Sequence, residues 1–151
     1  MYRTYMLDTN IFNAILDGKA ASTSLKGHRL LVTGIQADEL RATSSPERRA
    51  ALLNVYKEIR PTSLPSSSFA FDIEGAGFGQ AYWNDGSGNF EKMLARLREL
   101  DPGGKNAANQ VRDVLIAETA MKNGAILVSR DSNLRQVVSE FGGKCTDPDN
   151  L

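Results

Sequence analysis

The sequence is poor in the residues that build covalent or soft-metal scaffolds. It has a single cysteine, Cys145, and a single histidine, His28, in 151 residues. One cysteine forms no disulfide within the chain, and one thiol with one imidazole supplies too few ligands for a thiolate or Cys/His zinc site. The composition therefore excludes both kinds of scaffold and indicates a reducing compartment.

Long apolar runs and an excess of one charge are also lacking. No stretch approaches the ~20 apolar residues that cross a bilayer, and the first residues lack the apolar region of a signal peptide. We therefore expect a cytoplasmic protein. The 18 basic and 18 acidic residues balance, which argues against nucleic-acid binding by bulk electrostatics alone but permits a local basic patch.

The sequence does contain a regular alternation of short apolar runs and helical patterns. Apolar runs predict strands at residues 5–7, 30–32 and 125–128, with weaker patterns at 59–64 and 144–146. Helical spacing predicts helices over residues 10–16, 35–42, 46–59, 66–83, 90–100, 107–121 and 132–141. This alternation predicts one α/β domain, from about residue 2 to about residue 147, with a parallel sheet covered on both faces.

Two aspartates occur where predicted strands end. Asp8 follows the first strand directly, and Asp131 comes three residues after Val128. Ligands of open parallel sheets bind outside the carboxyl ends of the strands. We therefore expect both carboxylates at one edge of the sheet.

Two further acidic residues are predicted on helices. Asp113 interrupts a small and apolar stripe of its helix, and Glu39 lies in the helix after the second strand. Asp38 points about 100° away from Glu39, so only one of the pair can face the strand ends. A simpler alternative for Asp113 is a solvated pair with Arg112 or with a neighbouring helix.

Four carboxylates at one edge would repel one another unless a divalent cation lay among them. Carboxylate and amide oxygens favour Mg²⁺ or Mn²⁺ over zinc. With one histidine, and no motif that places a serine or cysteine beside it, a nucleophile and base pair of the triad kind is not expected. Hydrolysis of a phosphodiester by metal-activated water needs no histidine.

Four short motifs carry these acids. They are Met6-Leu7-Asp8-Thr9-Asn10, Glu39-Leu40, Asp113-Val114-Leu115-Ile116-Ala117 and Leu127-Val128-Ser129-Arg130-Asp131. Their content and order resemble the PIN-domain nucleases, most closely the VapC ribonuclease toxins of bacterial toxin-antitoxin pairs. The resemblance covers essentially the whole chain.

The resemblance implies a three-layer α/β/α sandwich with a central parallel sheet, as a single PIN-like nuclease domain over residues 1–151. It implies a pocket that holds Mg²⁺ or Mn²⁺, endonucleolytic cleavage of RNA, a homodimer and inhibition by a cognate antitoxin protein. The implied catalytic and metal-binding acids are Asp8, Glu39, Asp113 and Asp131. The resemblance also implies that Thr9 and Asn10 support the site by hydrogen bonding and that Ser129 lies beside the pocket.

The chain departs from the family pattern in two places. The segment Trp83-Asn84-Asp85-Gly86-Ser87-Gly88 and an added helix over residues 90–100 precede the Asp113 helix, and Leu134 replaces a residue that is often aromatic.

Arg130 is the preferred contact for an RNA phosphate because it adjoins the predicted pocket. The arginine pairs Arg48-Arg49 and Arg96-Arg98 are alternatives.

Two other functions remain open at the level of sequence. A phosphorylation-controlled receiver module would need paired acids after the first strand and a lysine after a late strand, whereas Thr9 follows Asp8 and Ser129-Arg130 follows the late strand. A catalytically silent PIN-like module that binds RNA or a protein is the second. Divalent-metal binding that depends on Asp8 would separate an enzyme from this module.

Overall fold

The strands form a parallel sheet in the order β3-β2-β1-β4-β5. The structure is a computed structural model and describes residues 2–65, 89–103 and 107–151. The strands are β1 (Thr4–Leu7), β2 (Arg29–Thr33), β3 (Thr62–Leu64), β4 (Ile126–Val128) and β5 (Lys144–Thr146). The helices are α1 (Thr9–Leu16), α2 (Gly34–Arg41), α3 (Pro46–Ile59), α4 (Asn89–Leu100), α5 (Ala107–Lys122) and α6 (Ser132–Glu140).

The predicted α/β fold with a parallel sheet is confirmed. All five predicted strands are present, and the predicted helices match α1 to α6 to within two residues at each end. The helix predicted over residues 66–83, and the segment at 83–88, lie outside the described residues.

Alternate residues of the strands face two separate cores, because side chains along a strand point to opposite faces of a sheet. Met6 of β1 lies in one apolar cluster with Leu31 and Leu127. Leu7, the next residue, lies in the other cluster with Val128. The apolar runs are buried on both faces, as expected for the centre of a parallel sheet.

Helices cover both cores and so make three layers. On the Met6 side the apolar residues come from α4, α5 and α6, and on the Leu7 side they come from α1 and α3. Helix α2 contributes Ile35 to the first core and Leu40 to the second. The predicted α/β/α sandwich is therefore the observed architecture.

Three helices begin almost directly at the carboxyl ends of strands. Asp8, Thr33 and Asp131 are the N-cap residues of α1, α2 and α6, and each accepts a hydrogen bond from a backbone N–H of its own helix. Side-chain capping of this kind satisfies N–H groups that lack a partner within the helix. The result is a row of polar side chains along the carboxyl edge of the sheet.

No helix in the described ranges is long and apolar enough to cross a membrane.

Candidate functional site

A cavity of about 220 Å³ lies beside the carboxyl end of β1, and we call it the acidic cavity. Its walls come from the β1 end, α1, α2 and α5, and every lining residue is polar or acidic. They are Asp8, Thr9, Asn10, Asn13, Glu39, Asn109 and Asp113. Three of the four predicted acids, from segments far apart in the sequence, therefore share one cavity.

A larger cavity of about 470 Å³ lies near the start of β2. Its lining includes Lys26, His28 and Glu58 together with apolar residues such as Leu25 and Ile59. One carboxylate among apolar side chains does not make a cation site. We therefore place the candidate site in the smaller, acidic cavity.

Asp8 lines this cavity and is hydrogen-bonded through both of its carboxylate oxygens. It is 3% exposed. Its Oδ1 accepts the backbone N–H of Thr9 at 2.8 Å, and its Oδ2 accepts the Ser129 hydroxyl at 2.7 Å and the Asn10 side-chain amide at 3.2 Å. Ser129 is fully buried and comes directly after β4, so this hydrogen bond joins the carboxyl ends of β1 and β4.

Glu39 enters the cavity from α2. The hydroxyl of Thr9 donates to its Oε1 at 2.7 Å, which links the start of α1 to α2. The neighbouring Asp38 lies outside the acidic cavity, where it pairs with Arg41 at 3.1 Å and lines a separate small pocket with Glu39, Ala42 and Arg112. The expectation that only one of these two acids faces the strand ends is confirmed.

Asp113 reaches the cavity from α5 and is 8% exposed. Asn109, one helical turn earlier, lines the same cavity and accepts a hydrogen bond from Arg112 at 3.1 Å. Arg112 therefore has an amide oxygen of the cavity wall among its partners. Asp113 is buried at the cavity wall, in contrast to the solvated position of the simpler alternative.

Asp131 occupies a different position from the other three predicted acids. Its Oδ1 accepts the backbone N–H groups of Asn133 and Leu134 at 3.0 and 3.2 Å, and it is absent from the lining of the acidic cavity. Its own N–H donates to the Ser129 hydroxyl at 3.1 Å. Asp131 therefore caps α6 and lies next to the residue that holds Asp8.

Arg130 is exposed beside the cavity. Its backbone N–H donates to the side-chain oxygen of Asn10 at 3.3 Å, so the loop between β4 and α6 touches the cavity wall. The alternative arginines are engaged within the protein. Their observed partners are Asp17 for Arg48, the Thr43 carbonyl for Arg49, Glu140 and Glu99 for Arg96, and Gln110 for Arg98.

The lining residues match a hard divalent cation in chemistry but are not assembled around one. Carboxylate, amide and hydroxyl oxygens are the donors that Mg²⁺ and Mn²⁺ prefer. Within residues 2–65, 89–103 and 107–151, however, no three His, Cys, Asp or Glu side chains stand close enough together to hold a metal ion.

Sequence reasoning did not identify two of the lining residues as site residues, Asn13 and Asn109. Both could have been found from helical spacing. Asn13 lies three residues after Asn10, and Asn109 lies four residues before Asp113, so each shares a helix face with a predicted site residue.

The chain matches one protein-family profile, and its fold is similar to several solved structures. A sequence profile described as PIN domain matches residues 5–139. The fold is similar to VapBC-1 from nontypeable Haemophilus influenzae, with a TM-score of 0.58, 19% identity and coverage of 97% of this chain and 98% of that chain. It is also similar to FitAcB from Neisseria gonorrhoeae, with a TM-score of 0.51, 16% identity and coverage of 97% and 99%.

A third similar structure is VapBC-5 from Mycobacterium tuberculosis, a member of the VapBC family of toxin-antitoxin systems. Its TM-score is 0.50 at 17% identity, and the match covers 95% of this chain and 96% of that chain. At these identities the likeness concerns the fold alone. Among curated protein sequences, none matches the chain.

Proposed function

The chain belongs to the PIN-domain family, whose members are nucleases, and on this basis we propose that it is a metal-dependent endoribonuclease. The observation that carries the proposal is the convergence of Asp8, Glu39 and Asp113 on one cavity at the carboxyl edge of the sheet. The proposed enzyme is a single PIN-like domain over residues 1–151 that acts in the cytoplasm on RNA phosphodiester bonds.

The proposed cofactor is Mg²⁺ or Mn²⁺, held by Asp8, Glu39 and Asp113. Bound in the cavity, such an ion would supply an activated water and stabilise the charge that develops on the phosphate. Asp131 also belongs to the proposed catalytic set. Both hydrogen bonds of the α6 cap use its Oδ1, so its proposed contribution is made through Oδ2, as Asp8 caps α1 with one oxygen.

The remaining site residues would orient these acids and the substrate. Ser129 and Asn10 donate to Asp8, and Thr9 donates to Glu39, so their proposed role is to fix the directions of the two carboxylates. Such second hydrogen-bond partners commonly decide how well ligands bind a metal. The exposed Arg130 would contact an RNA phosphate beside the cavity.

We also propose a role as the toxin of a toxin-antitoxin pair, with a cognate antitoxin as partner and a homodimer as the assembled form. Support comes from the fold, which is similar to that of VapBC-5, a member of a family of toxin-antitoxin systems. Light scattering of the purified protein tests the dimer, since a particle of one chain mass would contradict it.

A catalytically silent PIN-like module that binds RNA or a protein is the second candidate. The observation that favours it is the spacing of the acids, which in the described residues form no group able to hold a metal as they stand. The two candidates differ in one property, since only the enzyme must change RNA in a metal-dependent way.

Cleavage of a mixed pool of transfer, ribosomal and messenger RNA tests the proposal. Wild-type protein should give discrete products with Mn²⁺ and none with a chelator, and Asp113→Asn should give none with Mn²⁺. Asp38→Asn is the matched control, because Asp38 lies outside the acidic cavity, and it should cleave like the wild type. Identical patterns from wild type and Asp113→Asn would contradict the enzyme and leave the silent module.

A further inference from the structure

Gln36, in the first turn of α2, is fully buried and hydrogen-bonded at both ends of its side chain. Its Oε1 accepts the backbone N–H and the hydroxyl of Thr33, at 2.8 and 2.7 Å. Its Nε2 donates to the carbonyl of Leu7 at 2.9 Å and lies 3.6 Å from the Met6 sulfur. The orientation of the amide is fixed by its partners, because the Thr33 N–H can only donate and the Leu7 carbonyl can only accept.

The bond to Leu7 extends the sheet by one rung. The pairing of β1 with β2 ends at Met6 opposite Leu31, so Leu7 lies one residue beyond this ladder. On the other side of β1, Asp8 donates from its backbone to the carbonyl of Val128 at 3.0 Å. The Gln36 side chain therefore fixes the end of β1 on the β2 side, directly before Asp8.

The other end of the amide fixes the start of α2. Thr33 and Gln36 form a capping box, in which each side chain accepts a backbone N–H at the start of the helix. Glu39 follows Gln36 by three residues on the same face of α2. One side chain thus ties the strand that leads to Asp8 to the helix that carries Glu39.

These contacts form a closed ring of covalent and hydrogen bonds that includes both Asp8 and Glu39. The ring runs from Gln36 to the Leu7 carbonyl, through Asp8 to Thr9, across the 2.7 Å hydrogen bond to Glu39, and along α2 back to Gln36. A helix cap needs only the Oε1 half of the amide. The Nε2 half has no part in the cap and instead joins α2 to β1.

We propose that Gln36 is a positioning residue that sets the separation of the Asp8 and Glu39 carboxylates, and through it the affinity of the acidic cavity for a divalent cation. The inference rests on the proposed function. Loss of the Nε2 bond would free the end of β1 from α2. The Asp8 and Glu39 carboxylates would then lose more conformational entropy when they bind a common ion, and the affinity would fall.

Gln36→Met tests this inference, with Gln110→Met as the matched control. Gln110 is also buried, donates from its Nε2 to the Asp101 carbonyl at 3.0 Å and accepts from Arg98, but it lies outside the acidic cavity. Titration of Mn²⁺ into each protein measures affinity without reference to activity. Gln36→Met should bind Mn²⁺ about 10-fold more weakly or worse than wild type. Gln110→Met should bind it as wild type does.

A second variant leaves the charge unchanged. Gln36→Asn keeps a neutral amide but shortens the side chain by one methylene, so it cannot bond Thr33 and the Leu7 carbonyl together. It should also weaken Mn²⁺ binding, and it keeps the test decisive if Gln36→Met fails to fold.

Three outcomes decide the inference. Weakened binding in the Gln36 variants with a normal Gln110→Met supports it. Normal binding in a folded Gln36 variant, or equal weakening in Gln110→Met, overturns it and leaves the proposed function untouched. A wild-type protein that neither binds Mn²⁺ nor cleaves RNA contradicts the proposed function and the inference together.

Discussion

At the scale of single residues, Asp8 combines two tasks in one carboxylate. Its Oδ1 caps α1 through the Thr9 N–H, while its Oδ2 is directed by Ser129 and Asn10. A residue fixed in this way has little rotamer entropy left to lose when a ligand binds. The geometry of Asp8 should therefore depend on Ser129 more than on any exposed neighbour.

Ser129→Ala should damage both stability and metal binding. The change removes the 2.7 Å hydrogen bond to Asp8 and the acceptor of the Asp131 N–H, and Ser129 is fully buried. We expect a loss of about 1–3 kcal/mol in the free energy of unfolding. We also expect about 10-fold to 100-fold weaker Mn²⁺ binding.

Urea unfolding and Mn²⁺ titration check this prediction, with Ser139→Ala as the control. Ser139 is an exposed serine on α6, so its loss should change neither quantity measurably. Wild-type Mn²⁺ affinity in a folded Ser129→Ala protein would contradict the role assigned to Ser129.

Three of the four predicted acids line the acidic cavity, and the fourth, Asp131, caps α6 beside Ser129. Asp8, Glu39 and Asp113 could be placed from strand ends and helical stripes. Asp131 also follows a strand, but an aspartate at that point can equally cap its own helix, and a linear pattern does not decide between the two. Gln36 was signalled by the spacing Thr33-x-x-Gln36, which is a capping box, yet its second bond to Leu7 depends on the folded sheet.

At the scale of elements, the boundaries were predictable where local chemistry sets them. Pro46 begins α3 directly after the Ser45 cap, at the start of the predicted range 46–59. Strand β3 is shorter than its predicted range of 59–64, because α3 extends through Ile59 and the strand begins only at Thr62, after Pro61. It lies at the edge of the sheet, where a proline before the first paired residue costs no ladder bond.

Arg48 joins α3 to the end of α1, next to the acidic cavity. It donates to both oxygens of Asp17 at 2.9 and 3.0 Å and to Asn13 at 2.8 Å. The hydrogen bond from Arg48 lowers the pKa of Asp17 below its ordinary value, against the opposing effect of desolvation. Since the folded-state pKa is lowered, the contribution of this pair is present above the unfolded-state pKa and is lost as the pH falls through the folded-state pKa.

Arg48→Met should therefore destabilise the protein at neutral pH and lose part of this effect in acid. The difference in urea midpoint between wild type and variant should be small at about pH 7, because the pair is exposed. The difference should shrink as the pH falls below the ordinary aspartate pKa of about 4, and at high salt, while the part due to the Asn13 hydrogen bond remains. Asp17→Asn should abolish the pH dependence of the difference between wild type and Arg48→Met, whereas an equal difference at neutral and acid pH would contradict the assignment.

At the scale of the whole molecule, the strand order explains where the cavity lies. The chain runs from β1 through β2 to β3 on one side and later adds β4 and β5 on the other side of β1. Ligands of open parallel sheets bind where the order reverses, outside the carboxyl ends of the strands. The end of β1 is that point here, and Asp8 is the first residue beyond it.

Layering could be predicted from the sequence, but strand order could not. The alternation of strands and helices, with apolar runs such as 125–128, is enough to require a sheet covered on both faces. Whether β4 joins the sheet beside β1 or beyond β3 depends on packing between distant segments, such as Met6 against Leu127. Such contacts leave no periodic trace in either segment.

We propose that the carboxyl edge of the sheet forms a divalent-cation site from Asp8, Glu39 and Asp113. Titration of Mn²⁺ into wild type, Glu39→Gln and Asp38→Asn tests it most directly, because the two changed acids are adjacent and only Glu39 lines the acidic cavity. We expect saturable Mn²⁺ binding by wild type and Asp38→Asn, and loss of most of the affinity in Glu39→Gln. Equal binding by the two variants, or no binding by the wild type, would contradict it.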